Sequence, residues 1–183
     1  MSTVSTAGGR FWTFSLEVYG RPGVAPACLA LQDRHGLDVN LLLFCCWAAA
    51  QGVRLDHRAI VDAEAAVAGW RNQVLKPLRS LRRRLKREFT GFPAADIAAL
   101  RDRVLAVELE GERLAQARLE SLLPAAAADG SETGPVLALR ALRLYFRLEG
   151  VDPDDVDDRD CQALLAGTFP DASQAAISAA LSG

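Results

Sequence analysis

The sequence has few of the residues and motifs that usually mark a catalytic or metal-binding site. It contains two histidines and one methionine, and its cysteines, Cys28, Cys45, Cys46 and Cys161, form no CxxC pair. It also lacks a GxSxG nucleophile turn, a phosphate-binding Walker loop and a dinucleotide-binding GxGxxG fingerprint. These absences exclude the enzyme classes that can be recognised from a short sequence motif. We therefore predict no catalytic residue, no metal and no cofactor.

Long apolar runs and export signals are also absent. The longest unbroken apolar run, residues 41–50, is far shorter than the roughly 20 residues that a membrane-spanning helix needs. The N-terminal MSTVSTAGGR lacks the layout of a signal peptide, and we expect residues 1–9 to form a disordered lead. Cysteines placed in apolar patterns act as small hydrophobes when reduced. We therefore expect a cytoplasmic protein with no membrane span.

Apolar residues recur every three or four positions along the chain, and no strand-like alternation competes with that spacing. Residues 38–51 are apolar on every side, which is typical of a helix surrounded by other helices. We predict an all-α fold, a compact multi-helix bundle around a buried central helix at about residues 38–51. The position of Pro77 within a long helical pattern indicates a kink or a break in that helix. The position of Gly111 within a later helical pattern indicates a close contact or a bend.

The length of 183 residues suits one domain with a proper core. We predict a helical core domain over residues 10–150. The remaining residues, 151–183, are predicted to form a short helical segment that packs on this core.

Three phrases occur in order along the first half of the chain: FWTFSLEVYGRPGV, LALQDRHGLDVNLLLFCCW and GWRNQVLKPLRSLRRRLK. Together they resemble a proteobacterial family of conserved hypothetical proteins that is catalogued as a domain of unknown function. The resemblance covers the first half strongly and the rest only loosely. It implies a bacterial, cytosolic, helical protein, and it supplies no catalytic residue.

Positive charge is concentrated in one amphipathic segment, which we call the basic helix. Its cations are Arg71, Lys76, Arg79, Arg82, Arg83, Arg84, Lys86 and Arg87. They alternate with an apolar stripe, Val74, Leu78, Leu81 and Leu85, that we expect to be buried. Such a surface can bind an acidic protein, a nucleic acid or an anionic membrane face. We predict an interaction or adaptor module that binds an acidic protein or other polyanion here. Nucleic acid is less favoured, because no aromatic residues alternate with the cations.

An acidic run near the C-terminus could neutralise the basic helix from within. It comprises Asp152, Asp154, Asp155, Asp157, Asp158 and Asp160. As a calcium site the run lacks the glycine turn and closing glutamate of an EF-hand loop. Asp152, which precedes Pro153, is expected to cap a helix instead. The sequence leaves open whether the run masks the basic helix, and it gives no oligomeric state.

A polar cluster near the junction of the second and third helices supports a competing hypothesis. Its members are Glu17, Gln32, Asp33, His35, Asp38 and Asn40. These groups could serve a small-molecule- or metal-dependent enzyme as ligands or as acid and base. The architectural alternative is that Asp38 caps a helix and that Asn40 has a definite buried partner. A polar cavity that touches several of these side chains would favour a ligand site, and a closed junction would exclude it.

Overall fold

The computed structural model describes residues 9–124 and 132–182, and all regular secondary structure within these ranges is helical. The helices are α1 (Arg10–Tyr19), α2 (Val24–His35), α3 (Val39–Ala50), α4 (His57–Trp70), α5 (Lys76–Arg84), α6 (Ala94–Glu120), α7 (Gly134–Leu148), α8 (Asp155–Thr168) and α9 (Gln174–Ser182). The all-α prediction is confirmed. The predicted disordered lead, apart from Gly9, lies outside the described residues.

Helix α3 is the centre of the bundle, as its sequence predicts. Every residue from Asn40 to Ala49 is buried, and α1, α2, α6, α7 and α8 all pack around it. An aromatic group fixes α1 on α3, because Phe11 stacks on Trp47 with ring centroids 5.0 Å apart and meets Phe44 edge-on at 5.8 Å. Asp38 is the N-cap of α3, and its carboxylate accepts the backbone N–H of Asn40 at 2.8 Å.

Pro77 is accommodated by a local change of helix type. A proline has no N–H to donate to the carbonyl four residues earlier, and its ring crowds that carbonyl. Directly before it, the chain widens into a π-helical segment (Arg71–Leu75), and α5 then begins with Pro77 in its first turn. The predicted break is therefore a π-helical junction between α4 and α5. Such segments are often found at functional sites.

Gly111 makes the close contact that its position in α6 predicts. A Cβ at this residue would lie 2.8 Å from Cδ2 of Leu75. Its carbonyl oxygen accepts the indole N–H of Trp70 at 3.0 Å. The absent side chain thus lets α6 approach the π-helical junction closely.

The N-cap of α8 is Asp154 rather than Asp152, so the predicted cap is wrong. The Asp154 carboxylate accepts the backbone N–H groups of Val156 at 2.8 Å and Asp157 at 3.0 Å. In return, Asp157 accepts the backbone N–H of Asp154 at 3.1 Å. This reciprocal capping box satisfies three free N–H groups at once, whereas Asp152 is held out of helical geometry by the proline that follows it.

The C-terminal helices pack on the rest of the bundle. Helix α8 contacts α2, α3 and α7, and α9 contacts α7 and α8. The predicted boundary at residue 150 stays a prediction.

The four cysteines are free and buried. Burial raises the pKa of Cys28, Cys46 and Cys161 to about 12, and it raises that of Cys45 as well. Burial and a raised pKa favour the neutral thiol, so these cysteines suit a space-filling role in the core. Separately, no helix in the described ranges is both long and apolar enough to cross a bilayer.

We predict that Gly167→Ala destabilises the α2–α8 contact. A Cβ at Gly167 would lie 2.1 Å from Cγ2 of Val24, which is fully buried and has a stiff β-branched side chain. Overpacking costs about 1–3 kcal/mol and the gain in helix propensity returns up to about 1 kcal/mol, so urea unfolding should show a net loss. The matched control is Gly69→Ala in α4, where a Cβ would meet no described atom within 4 Å outside the neighbouring turns of its own helix, and a gain in stability is expected. Equal effects at the two positions would contradict this packing argument.

Candidate functional site

Two inward-facing cations of the basic helix, Arg79 and Arg82, pair with carboxylates of α6. Arg79 Nε lies 3.1 Å from Glu108 and its NH2 group lies 2.7 Å from Glu112. Arg82 Nε lies 2.5 Å from the other oxygen of Glu108. Burial alone would raise the pKa of Glu108, but hydrogen bonds from Arg82 and Arg79 outweigh it and hold that pKa below its ordinary value.

Arg71, in the π-helical segment, is a third internally paired cation. Its guanidinium donates to Asp38 at 3.1 Å and forms a two-fold contact with Glu64 of α4. The pKa of Arg71 is raised, chiefly by the hydrogen bonds to Glu64. Asp38 thus caps α3 and also holds the π-helical junction against it.

The acidic run of α8 does not supply these internal partners. Asp157 accepts from Arg34 at 2.7 Å and lies 2.8 Å from Nε2 of His35. Asp160 also pairs with Arg34, at 2.5 Å. Among the described residues, this run makes no ion pair with the basic helix. The sequence left open whether these aspartates neutralise the basic helix. Among the described residues α8 packs beside α2, and glutamates of α6 pair with Arg79 and Arg82 instead.

Five cations of the basic helix, Lys86 among them, remain exposed and have no hydrogen bond or ion pair from their side chains to any described residue. Four of the five lie together. They are Lys76, Arg83, Arg84 and Arg87, and all four line one open cavity of about 440 Å³ between α5 and the α2–α3 junction. We call it the basic cavity. Lys86 lies outside it, beside the start of α6. The apolar stripe is buried only in part, since Leu81 is 42% exposed.

The basic cavity also takes in most of the predicted polar cluster. Gln32, Asp33, Asp38 and Asn40 line it. Glu17 lies elsewhere, in a depression with Arg10 and Gln51, and His35 is held by Asp157. Two regions that the sequence suggests as separate sites therefore meet in one polar cavity.

Asn40 has the definite partner that the sequence predicts for a buried amide. Its Nδ2 group donates to Glu112, and its Oδ1 atom accepts from Nε2 of Gln116 at 2.8 Å. Glu112 is largely buried, and burial raises its pKa despite the hydrogen bond from Asn40. A chain of hydrogen bonds thus runs from Arg79 through Glu112 and Asn40 to Gln116.

The sequence interpretation missed the α6 residues of this site. Glu108, Glu112 and Gln116 recur every four positions, so they share one face of the helix. All three carry polar groups within a mostly apolar pattern, and that spacing was the available signal. No group of three acidic, histidine or cysteine side chains suitable for a metal ion occurs in the described part of the chain.

These features define an all-helical protein with an open, mixed-charge cavity at the start of its central helix. Residues 10–119 match the family described as Protein of unknown function (DUF2390), and the chain belongs to that family. The match includes every residue of the basic helix and of the polar cluster. The resemblance to a domain of unknown function is confirmed, while bacterial origin stays a prediction. No curated protein and no solved structure matches the chain.

Proposed function

We propose that this protein is an interaction module that binds an acidic segment of a partner protein at the basic cavity. One observation carries the proposal: Lys76, Arg83, Arg84 and Arg87 line a single cavity, and their side chains make no ion pair or hydrogen bond with any described residue. Like charges brought together on one surface repel each other, and an anionic ligand relieves that repulsion.

A peptide fits the mixed charge of this cavity better than a nucleic acid does. Asp33 is exposed beside the four cations, and a carboxylate can only accept hydrogen bonds. A peptide offers carboxylates to the arginines and backbone N–H groups to Asp33, whereas a phosphate chain would be repelled by it. The lining also contains no aromatic side chain on which a base could stack.

The test is fluorescence anisotropy with a labelled oligoglutamate peptide, compared with a labelled single-stranded oligonucleotide. We expect saturable, salt-sensitive binding of the peptide. The variant Lys76→Glu, Arg83→Glu, Arg84→Glu, Arg87→Glu should weaken that binding by about tenfold or more. Arg82 must be kept, because its pairing with Glu108 makes it part of the fold.

The matched control reverses four exposed arginines that lie elsewhere on α4, α6 and α8. Arg58→Glu, Arg103→Glu, Arg118→Glu, Arg159→Glu changes the net charge by the same amount, at residues that are also exposed. We expect it to retain most of the peptide affinity. Equal losses of peptide affinity in the two variants would show that the peptide responds to the overall charge of the protein and not to the basic cavity. Tighter binding of the oligonucleotide than of the peptide would assign the surface to nucleic acid. Either result contradicts the proposal.

The competing hypothesis, a small-molecule- or metal-dependent enzyme, is favoured by one observation. The basic cavity is open and polar and touches four members of the polar cluster. Glu17 and His35 lie outside it, so only Gln32, Asp33, Asp38 and Asn40 are available to such an enzyme. Loss of a small-molecule signal on Asp33→Asn, with peptide binding unchanged, would support it.

A further inference from the structure

The connection between α5 and α6 carries the two most exposed aromatic side chains among the described residues. Phe92 is 66% exposed and Phe89 is 41% exposed, and every residue from 86 to 96 is exposed. A single exposed apolar residue is ordinary on a protein surface. Two phenylalanines in one exposed connection indicate an interaction surface instead. We call residues 86–96 the aromatic tip.

A tight turn holds the two phenylalanines at its ends. The backbone N–H of Phe92 donates to the carbonyl oxygen of Phe89 at 3.1 Å, which is the hydrogen bond that closes a four-residue β-turn. Gly91, the third residue of this turn, has a φ of +85°. A positive φ at that position defines a type II turn and favours glycine. The turn keeps the two Cα atoms within about 7 Å of each other, so the two rings belong to one small surface.

Cations surround the two rings. Both phenylalanines line a depression of about 360 Å³ between the end of α5 and the start of α6. The cations in its lining are Lys86, Arg87 and Arg101. The side chains of Lys86 and Arg87 make no ion pair or hydrogen bond with any described residue. One carboxylate, that of Glu88, also lines the depression, so positive charge is in excess there.

The aromatic tip adjoins the basic cavity and shares one cation with it. Arg87 lines both, whereas Lys86, Phe89 and Phe92 line the depression and not the basic cavity. The rings distinguish the two surfaces, because the lining of the basic cavity contains no aromatic side chain. Substitutions of the two phenylalanines therefore change the tip and leave every cation of the basic cavity in place.

The size of the apolar surface favours a lipid bilayer over a protein partner. A phenylalanine has roughly 200 Å² of surface to bury, so the exposed parts of the two rings together present roughly 200 Å². A stable protein interface buries about 800 Å² per partner, which this tip does not provide. A bilayer requires less, because a few apolar side chains can enter the boundary between headgroups and acyl chains while nearby cations contact anionic lipids.

From this arrangement we propose that the aromatic tip binds the surface of an anionic lipid membrane. Phe89 and Phe92 enter the boundary between headgroups and acyl chains, and Lys86 and Arg87 lie at the level of the lipid phosphates. One weak signal alone gives only marginal, reversible attachment, so the rings and the cations are both required. The proposal goes beyond the binding of acidic peptides at the basic cavity.

The experiment is cosedimentation of the full chain with vesicles of phosphatidylcholine, prepared with or without phosphatidylglycerol. Each cation near an anionic surface strengthens binding by about fivefold. We therefore expect binding to the anionic vesicles and binding that is weaker by about tenfold or more to the neutral ones. High salt should weaken the binding to anionic vesicles, because salt screens this attraction.

Two double variants test the contribution of the rings. Phe89→Ser, Phe92→Ser removes both rings and should weaken binding to anionic vesicles by about tenfold or more. Its binding of the oligoglutamate peptide should be unchanged, which separates the tip from the basic cavity. The matched control is Leu16→Ser, Leu29→Ser, at leucines of α1 and α2 that are 57% and 45% exposed. We expect this control to bind vesicles as the wild type does.

A charge variant tests the cations in the same assay. Lys86→Glu should weaken binding to anionic vesicles by about fivefold or more. Its matched control is Arg159→Glu, at an exposed residue of α8, which changes the net charge by the same amount. We expect this control to retain the vesicle affinity of the wild type.

Phe92→Trp reports the depth of the tip directly and keeps an aromatic ring in place. On anionic vesicles we expect its fluorescence to shift to shorter wavelength and to be quenched by lipids brominated in their acyl chains. Both changes should exceed those of the wild type, which has three tryptophans of its own. This variant gives a result even if the serine variant is poorly folded.

Any of four results would overturn the proposal. Binding to neither kind of vesicle, or equal binding to both, would contradict recognition of an anionic bilayer. Wild-type affinity in the serine variant, with no quenching of Phe92→Trp, would show that the rings do not enter the membrane. Equal losses in the serine variant and its leucine control would show no special role for the tip. Self-association of the wild type in analytical ultracentrifugation that is lost in the serine variant would assign the phenylalanines to a second copy of the chain.

Discussion

Glu108→Gln is expected to lower the free energy of unfolding by about 2–3 kcal/mol, because it leaves Arg79 and Arg82 beside each other without a shared counter-charge. The Glu108 side chain is 6% exposed, and the two arginine side chains are 28% and 24% exposed. Removing one partner of a fully buried ion pair costs about 3–5 kcal/mol, and partial access of water to the arginines reduces that figure. Urea unfolding at neutral pH measures the difference.

The effect of Glu108→Gln should disappear in acid. The pKa of Glu108 is lowered in the folded protein, while an unfolded glutamate titrates near about 4.3. The unfolded state therefore binds the proton more readily, so the stabilisation by this carboxylate is complete above that pH and is lost as the pH falls through the lower folded value. We expect the difference between the wild type and the variant to begin to shrink below about pH 4.3 and to vanish only below the lowered folded pKa of Glu108.

Glu110→Gln is the matched control on the same helix. Glu110 is exposed and pairs with Arg113 three residues later, and exposed pairs of this kind contribute little to stability. We expect almost no change in its urea midpoint at any pH. If the two variants behaved alike at neutral pH, Glu108 would not be a structural counter-ion of the basic helix.

The main features of the fold can be predicted from local signals in the sequence. The apolar residues of α3 leave it no solvent-facing side, so it must be central. Asp38 precedes a long apolar run and can accept a free backbone N–H, so it caps α3. Pro77 cannot donate a hydrogen bond, so the helix must change there. The prediction that Asp152 caps α8 is wrong because Asp154 has a reciprocal partner, Asp157, at the spacing that a capping box requires.

The site follows only in part, because it depends on which helices meet. Arg82 and Arg83 are neighbours in a run of like residues, yet Arg82 pairs with Glu108 and Arg83 faces the basic cavity. Neighbouring residues on a helix point about 100° apart, so periodicity separates the two faces, but it cannot tell which face has carboxylates opposite. The pairing with α6 spans 26 residues, and that distance in sequence conceals it.

The second large effect is expected for Asn40→Leu, which should lower the free energy of unfolding by about 2–4 kcal/mol. Asn40 is 6% exposed, and its amide donates to Glu112 and accepts from Gln116. Leucine has a similar volume, so packing is nearly kept while both hydrogen bonds are lost. Gln116 would then have no partner at either polar atom of its amide. Chemical denaturation measures the change, with Gln51→Leu, an exposed amide at the end of α3, as the control.

A double variant separates a lost hydrogen bond from a stranded polar group. When both members of a buried pair become apolar, no unsatisfied donor or acceptor remains between them. Asn40→Leu combined with Gln116→Leu should therefore be less destabilised than the sum of the two single variants, by about 1 kcal/mol or more. Strict additivity would mean that water reaches the Asn40–Gln116 contact and satisfies whichever amide is left.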